Sequence, residues 1–117
     1  MARYHVRQVA LDGNDLDAMI AFWVAALGYE LDHREEDYAV LRDPDGAEPR
    51  IFLQKVPEPK VGKNRAHFDV AVPDGREAVE RLAWLGARVL WREDFLTHHW
   101  TVLADPEGNE FCVGHFG

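Results

Sequence analysis

The chain repeats itself. Leu27-Gly28 recurs as Leu85-Gly86, 58 positions later, and Leu41-Arg42-Asp43-Pro44-Asp45-Gly46 recurs as Leu103-Ala104-Asp105-Pro106-Glu107-Gly108, 62 positions later. Aligning the strand-like segment that precedes each helix-like segment sets Gln8 against His67, an offset of 59. Chance placement of turn residues explains three agreeing landmarks poorly; two tandem modules of the same order explain them directly. A half of this size puts one helix on one face of a sheet and leaves the other face bare, so the two halves are expected to work as a pair.

Each half reads as βαβββ, an α+β class. In the first, Val6 to Leu11 is strand-like, and Asn14 or Asp15 can cap the helix that follows. Leu16, Met19, Ile20, Trp23 and Leu27 fall on one helical face, and Gly28 ends it. Tyr29–His33, Tyr38–Leu41 and Ile51–Val56 complete the module, with a turn at Asp43-Pro44-Asp45-Gly46. In the second, Ala66–Val72 is a strand, Asp74 with Glu77 makes a capping-box pattern, and Val79, Leu82, Ala83 and Leu85 form the apolar face of a helix ended by Gly86. Arg88–Trp91, His99–Ala104 and Glu110–Gly114 follow as strands. Trp23 and Trp84, both on helices, are expected in the core, and His5, His33 and His115 at the surface. The modules run over about 1–56 and 64–117, joined by a basic segment carrying Pro57, Pro59 and Gly62.

Charge narrows the partners. The 117 residues hold 13 Lys and Arg against 21 Asp and Glu, a formal net charge of −8, so no overall basic footprint for nucleic acid or an anionic membrane exists. No apolar run approaches the ~20 residues of a membrane span, and Met1 to Val9 reads as polar and strand-like rather than as a leader. The single cysteine, Cys112, excludes an intrachain disulfide and a Cys-only zinc site. The expectation is a cytoplasmic protein with a small-molecule partner. Acids crowd residues 12–48, whereas Arg50, Lys55, Lys60, Lys63 and Arg65 gather in 50–65.

Several segments together resemble the glyoxalase/bleomycin-resistance/extradiol-dioxygenase superfamily, also called vicinal oxygen chelate. They are Gln8-Val9-Ala10-Leu11-Asp12, Ala21-Phe22-Trp23 to Leu27-Gly28-Tyr29, the Asp43-Pro44-Asp45-Gly46 turn, Asn64-Arg65-Ala66-His67-Phe68-Asp69, and Asp105 to Cys112. The resemblance covers nearly the whole chain and is nearest to a glyoxalase-like branch. It implies paired modules curling into a half-open barrel, with helices on the convex face and a cavity on the concave one. It also implies a homodimer, and one divalent ion that chelates vicinal substrate oxygens. That ion would be held by side chains from the first and last strand of each module.

Strand alternation then assigns inward positions. Val9, Leu11, Phe68, Val70, Phe111 and Val113 meet the helices, leaving Gln8, His67, Asp69, Glu110 and Cys112 toward the cavity, with Phe52 and Gln54 from the fourth strand. Gln8 and His67 occupy ligand positions of the family. The carboxylates usual at the last-strand positions are replaced by Cys112 and Phe52, and Glu110 lies two residues from Cys112 on the same face. A metal set of Gln8, His67 and Glu110 is one reading, with Zn, Ni, Mn, Fe and Mg all open. The other is a metal-free cavity in which His67 is held by Asp69 or Gln8. Tyr38, Phe52, His98 and Trp100 make the expected lining aromatic, suited to a flat ligand, whereas Trp91 reads as filler. Of the adjacent His98 and His99, one at most faces the cavity. Lys60, Lys63 and Arg65 are candidates for attracting an anion, with Arg65 preferred because it shares the parity of His67 if the strand starts early.

Three functions remain open at this point: an enzyme of lyase, isomerase or dioxygenase type using His67 and Glu110 for acid–base or ligand roles, a metal-free sequestration protein, and a dimerising accessory domain.

Overall fold

A computed structural model describes residues 2–95 and 98–115; the side chains of residues 94, 95 and 98 lie outside that description. The chain divides into two compact units, Met1–Pro59 and Lys60–Gly117. Each is a βαβββ module, and the fold is α+β.

The first module runs β1 (Gln8–Gly13), α1 (Leu16–Leu27), β2 (Glu30–Arg34), β3 (Tyr38–Arg42) and β4 (Arg50–Lys55). Its sheet has the order β1-β4-β3-β2, with β1 parallel to β4 and the other pairs antiparallel. The second module runs β5 (Phe68–Ala71), α2 (Gly75–Leu85), β6 (Arg88–Phe95), β7 (His98–Ala104) and β8 (Glu110–Gly114). Its sheet has the matching order β5-β8-β7-β6 and the same strand directions. In both modules the first strand returns beside the last through a helical crossover, which a parallel pair requires.

Local chemistry explains the repeated motifs. Of the two candidate caps for α1, Asp15 does the work, its carboxylate accepting from Ala18 N at 3.0 Å, while Asn14 Nδ2 donates to the carbonyls of Val56 and Glu58. Asp74 caps α2 by accepting from Arg76 N and Glu77 N. Each Asp-Pro turn joins the third strand of its module to the fourth. Asp43 accepts from Ala47 N, and buried Asp105 accepts from Glu107 N and Asn109 N at 2.9 and 2.8 Å. The glycine of each motif takes a positive φ, +82° at Gly46 and +85° at Gly108, which a side chain would oppose.

The cores lie between each helix and its sheet. Leu16, Met19, Phe22 and Trp23 of α1 pack over Ala39, Leu41, Ile51 and Leu53. In the second module the helix contributes less: Leu82 is its one buried residue, and Val102, Leu103, Phe111 and Val113 complete the core. Two core expectations are corrected here. Trp84 is 82% exposed and Ala83 is exposed. The face of α2 toward the sheet runs through Ala78, Val79, Leu82 and Leu85, and Trp84, two residues past Leu82, turns to the opposite side of a 3.6-residue helix. No helix among the described residues is long and apolar enough to cross a membrane.

Candidate functional site

The parallel pairing of β5 with β8 sets Asp69 directly beside Cys112. His67 immediately precedes β5 and has the same parity as Asp69. His67 Nε2 lies 3.2 Å from Asp69 Oδ1, and the Cys112 thiol shares a hydrogen bond with Asp69. One ligating atom from each of the three lies within 4.8 Å of the others. Cys112 is 5% exposed, whereas His67 and Asp69 are open to solvent. Burial raises the Cys112 thiol above its ordinary range, and the Asp69 carboxylate raises it further. The sulfur is therefore protonated at neutral pH until something better than a proton takes it.

These three groups open into a cavity of about 510 Å³ built from second-module residues alone. Trp91, Trp100, Val102 and Phe111 supply its apolar wall, and Lys63, Glu93 and Glu110 its other charges. Trp91, expected as filler, is 41% exposed and lines the cavity. A β-bulge between Val89 and Trp91 changes the alternation at that point.

Glu110 is held from several sides. Its Oε1 accepts from Asn64 N at 2.8 Å and stands 3.6 Å from Lys60 Nζ, while Oε2 stands 3.9 Å from Lys63 Nζ. Asn64 Nδ2 also donates to the Glu110 carbonyl. The hydrogen bond from Asn64 N lowers the Glu110 pKa, partial burial opposes it, and the two lysines add to the lowering. A carboxylate so stabilised stays ionised near neutrality, the form of a proton acceptor or ligand rather than of a proton donor. It clamps the 60–64 segment to β8. Because the folded pKa lies below the unfolded one, this contribution to stability is present above the unfolded pKa, about 4.3. It is lost as pH falls through the folded value. Glu110→Gln is expected to destabilise the protein by about 1 kcal/mol at pH 7, with the difference from wild type shrinking as pH falls below the ordinary carboxylate range; urea midpoints followed from pH 7 downward test this.

The remaining expected residues fall as follows. Gln8 sits at the exposed start of β1, where its Oε1 accepts from Arg50 at 3.2 Å. Tyr38 and Phe52 stack with ring centroids 5.2 Å apart on the sheet of the first module. Trp100 lines the second-module cavity, and His98 opens β7 with its side chain outside the described residues. Arg65 lies in a bend ahead of β5, which begins at Phe68 rather than Ala66; it has no strand parity with His67 and is absent from the cavity lining. The lining brings Asp69, Glu93 and Glu110 together with Lys63, whose Nζ stands 3.9 Å from Glu110 Oε2 and 5.3 Å from the Trp91 ring centroid. Asn64 and Glu93 were not anticipated, since a loop-to-strand clamp and a bulged strand carry no local sequence signal.

A divalent ion, implied by the resemblance, can be tested against the donors. Gln8 oxygen already accepts from Arg50 and Glu110 is committed to Asn64 and two lysines. His67, Asp69 and Cys112 instead converge as a nitrogen, an oxygen and a sulfur donor. That mixture fits a borderline-soft ion such as zinc, and lacks the oxygen-rich shell of magnesium.

Residues 8–114 match the model of a family described as "Glyoxalase-like domain". No curated protein sequence matches the chain. Among solved structures, it is similar to the fosfomycin resistance protein FosX from Listeria monocytogenes, with a TM-score of 0.82 at 13% identity, covering 99% of this chain and 96% of that one. A lactoylglutathione lyase from Agrobacterium tumefaciens gives a TM-score of 0.74 at 20% identity, with coverage of 98% and 96%. A bleomycin-binding protein from Streptomyces verticillus, solved with copper(II)-bleomycin, gives 0.71 at 20% identity over the full length of both chains. At these identities the likeness is one of fold.

Proposed function

The chain belongs to the glyoxalase-like domain family, and from that premise we propose that its second module binds a small, flat, partly aromatic or carbonyl-containing molecule that is neutral or cationic. One observation carries the reading: the cavity joins an indole wall at Trp91 and Trp100 to a polar end at His67, Asp69 and Cys112. Its size suits a molecule of a few fused rings. Its charge sets the preference, because three carboxylates face one ammonium in the lining. A ligand carboxylate held ~6 Å from one of them would meet a repulsion of about 3 kcal/mol at an effective dielectric near 20. A cationic ring avoids that repulsion and gains from the indole faces.

Turnover is a second reading, favoured by the three converging donors. A divalent ion held by them would supply Lewis acidity toward a ligand carbonyl oxygen. His67 would orient the ligand through whichever ring nitrogen Asp69 leaves free. Sequestration and turnover share the same binding step, so binding is the point to test.

The test is calorimetric titration of the full chain with three naphthalenes whose 1-substituents are of similar size and carry different charges: 1-naphthamide, 1-naphthylmethylammonium and 1-naphthoate. The amide and the ammonium are expected to bind, and the carboxylate at least ~10-fold more weakly, a difference of about 1.4 kcal/mol. Trp100→Ala should weaken the amide by about 10-fold. Trp84→Ala, on the exposed side of α2, should leave it unchanged. Equal binding of all three probes, or no effect of Trp100→Ala, would overturn the reading.

A further inference from the structure

We propose that the second module carries a further ligand site, on the helix-covered face of its sheet, that holds a short aliphatic carboxylate between Arg76 and Arg92. It lies on the opposite face of that sheet from the ring-binding cavity and does not rest on the ring-binding reading.

The site is a cavity of about 660 Å³ between α2 and the sheet. Arg92, Thr101 and Val113 line it, whereas their neighbours Trp91, Val102 and Cys112 line the other cavity, as alternation requires of the two faces of one sheet. Trp100 contributes to both walls.

The first module shows why space is left here. Asp15 caps α1 and Asp74 caps α2. Counting from the caps sets Leu16 against Gly75, Asp17 against Arg76 and Met19 against Ala78. Leu16 and Met19 are 3% and 0% exposed and help to fill the gap between helix and sheet. Gly75 and Ala78 are too small to do the same, and Gly75 lines the cavity. A Cβ placed on Gly75 meets nothing within 4 Å, and its φ is not positive. Neither crowding nor backbone conformation demands a glycine at this position.

The same count exposes a change of charge. In the first module Arg34, the fifth residue of β2, forms an ion pair with Asp17 of α1. Arg92 is the fifth residue of β6, and both strands carry a bulge at the same place. The helix residue equivalent to Asp17 is Arg76. Two guanidinium groups thus line one cavity where the first module pairs a guanidinium with a carboxylate, and an entering anion supplies the carboxylate that Asp17 provides there. Guanidinium donors match a carboxylate two hydrogen bonds at a time. Glu80 is the one carboxylate among the described lining residues. Its Oε1 stands 3.5 Å from Arg76 Nε, in an exposed pair one turn apart that competes weakly with a ligand. Val72, Val79, Val89 and Val113 give the cavity a branched aliphatic wall, which suits an acyl chain.

The experiment is calorimetric titration of the full chain with hexanoate and with hexanamide, its neutral counterpart of similar size. Amide chemical shifts of ¹⁵N-labelled protein locate the binding. Hexanoate should bind at least ~10-fold more tightly than hexanamide and shift the amides of Gly75, Val79 and Thr101. Two substitutions copy the first module. Arg76→Asp restores the arrangement of Asp17 with Arg34; it should weaken hexanoate at least ~10-fold without lowering the melting temperature. Gly75→Leu fills the gap as Leu16 does; it should abolish hexanoate binding and raise the melting temperature. The melting temperatures report that both variants fold. Hexanoate binding no tighter than hexanamide, or hexanoate affinity unchanged in either variant, would overturn the proposal. So would sedimentation showing a dimer that Arg76→Asp dissociates and hexanoate leaves intact, because a second copy of the chain would then cover this face. Neither variant should alter 1-naphthamide binding, so this proposal and the ring-binding reading stand or fall separately.

Discussion

Trp23→Ala is expected to cost about 3–5 kcal/mol of folding stability, whereas Trp84→Ala should fall within about 0.5 kcal/mol of wild type. The two tryptophans occupy helices of equivalent modules, yet Trp23 is 1% exposed and Trp84 82%. Trp23 meets Phe22 edge to face, with ring centroids 5.0 Å apart, and both lie on the part of α1 buried over the first sheet. Truncating it removes the transfer free energy of the indole and leaves a void in the core that also buries Met19, Leu41 and Leu53. Removing Trp84 uncovers nothing. Chemical denaturation of the two variants should give well-separated midpoints; comparable losses would mean that the exposed face of α2 is covered in solution.

The second large effect is expected at Gly114. It pairs with Trp100 across β7 and β8 and, from its other side, with Ala71 of β5. A Cβ there would come within 2.5 Å of the His99 carbonyl oxygen and 2.9–3.0 Å of Trp100 Cβ and Cα. These are backbone or near-backbone atoms that cannot swing aside, so β7 must move. Gly114→Ala is expected to cost about 1–3 kcal/mol. Since Trp100 forms part of the cavity wall, it should also weaken 1-naphthamide about tenfold. Destabilisation without loss of binding would show that the position of Trp100 is not what the ligand reads.

Much of this was written in the sequence, for identifiable reasons. The Asp-Pro-x-Gly turns were legible because Asp43 and Asp105 cap their own loops, and the glycines at +82° and +85° leave few alternatives. Strand alternation placed His67, Asp69 and Cys112 on one face because β5 and β8 are regular where they pair. Trp84 escapes a core assignment because an apolar residue on a helix is not thereby on its apolar face; two positions from Leu82 is just over half a turn away. Arg65 depended on an early strand start, and the chain stays irregular until Phe68. The fate of Glu110 could not be read locally. Asn64 lies 46 positions away and Lys60 further still, and only the folded module brings them to its carboxylate. For the metal set that the resemblance implies, Gln8 with His67 and Glu110, donor type is visible in the sequence, whereas the hydrogen bonds that Gln8 and Glu110 make are not.

If function resides in the second module's cavity, adding 1-naphthamide to ¹⁵N-labelled protein should shift resonances centred on the Trp100 and Trp91 indoles and on the amides of His67, Asp69 and Cys112. Changes centred instead on Tyr38 and Phe52 of the first module, or none at saturating ligand, would contradict it.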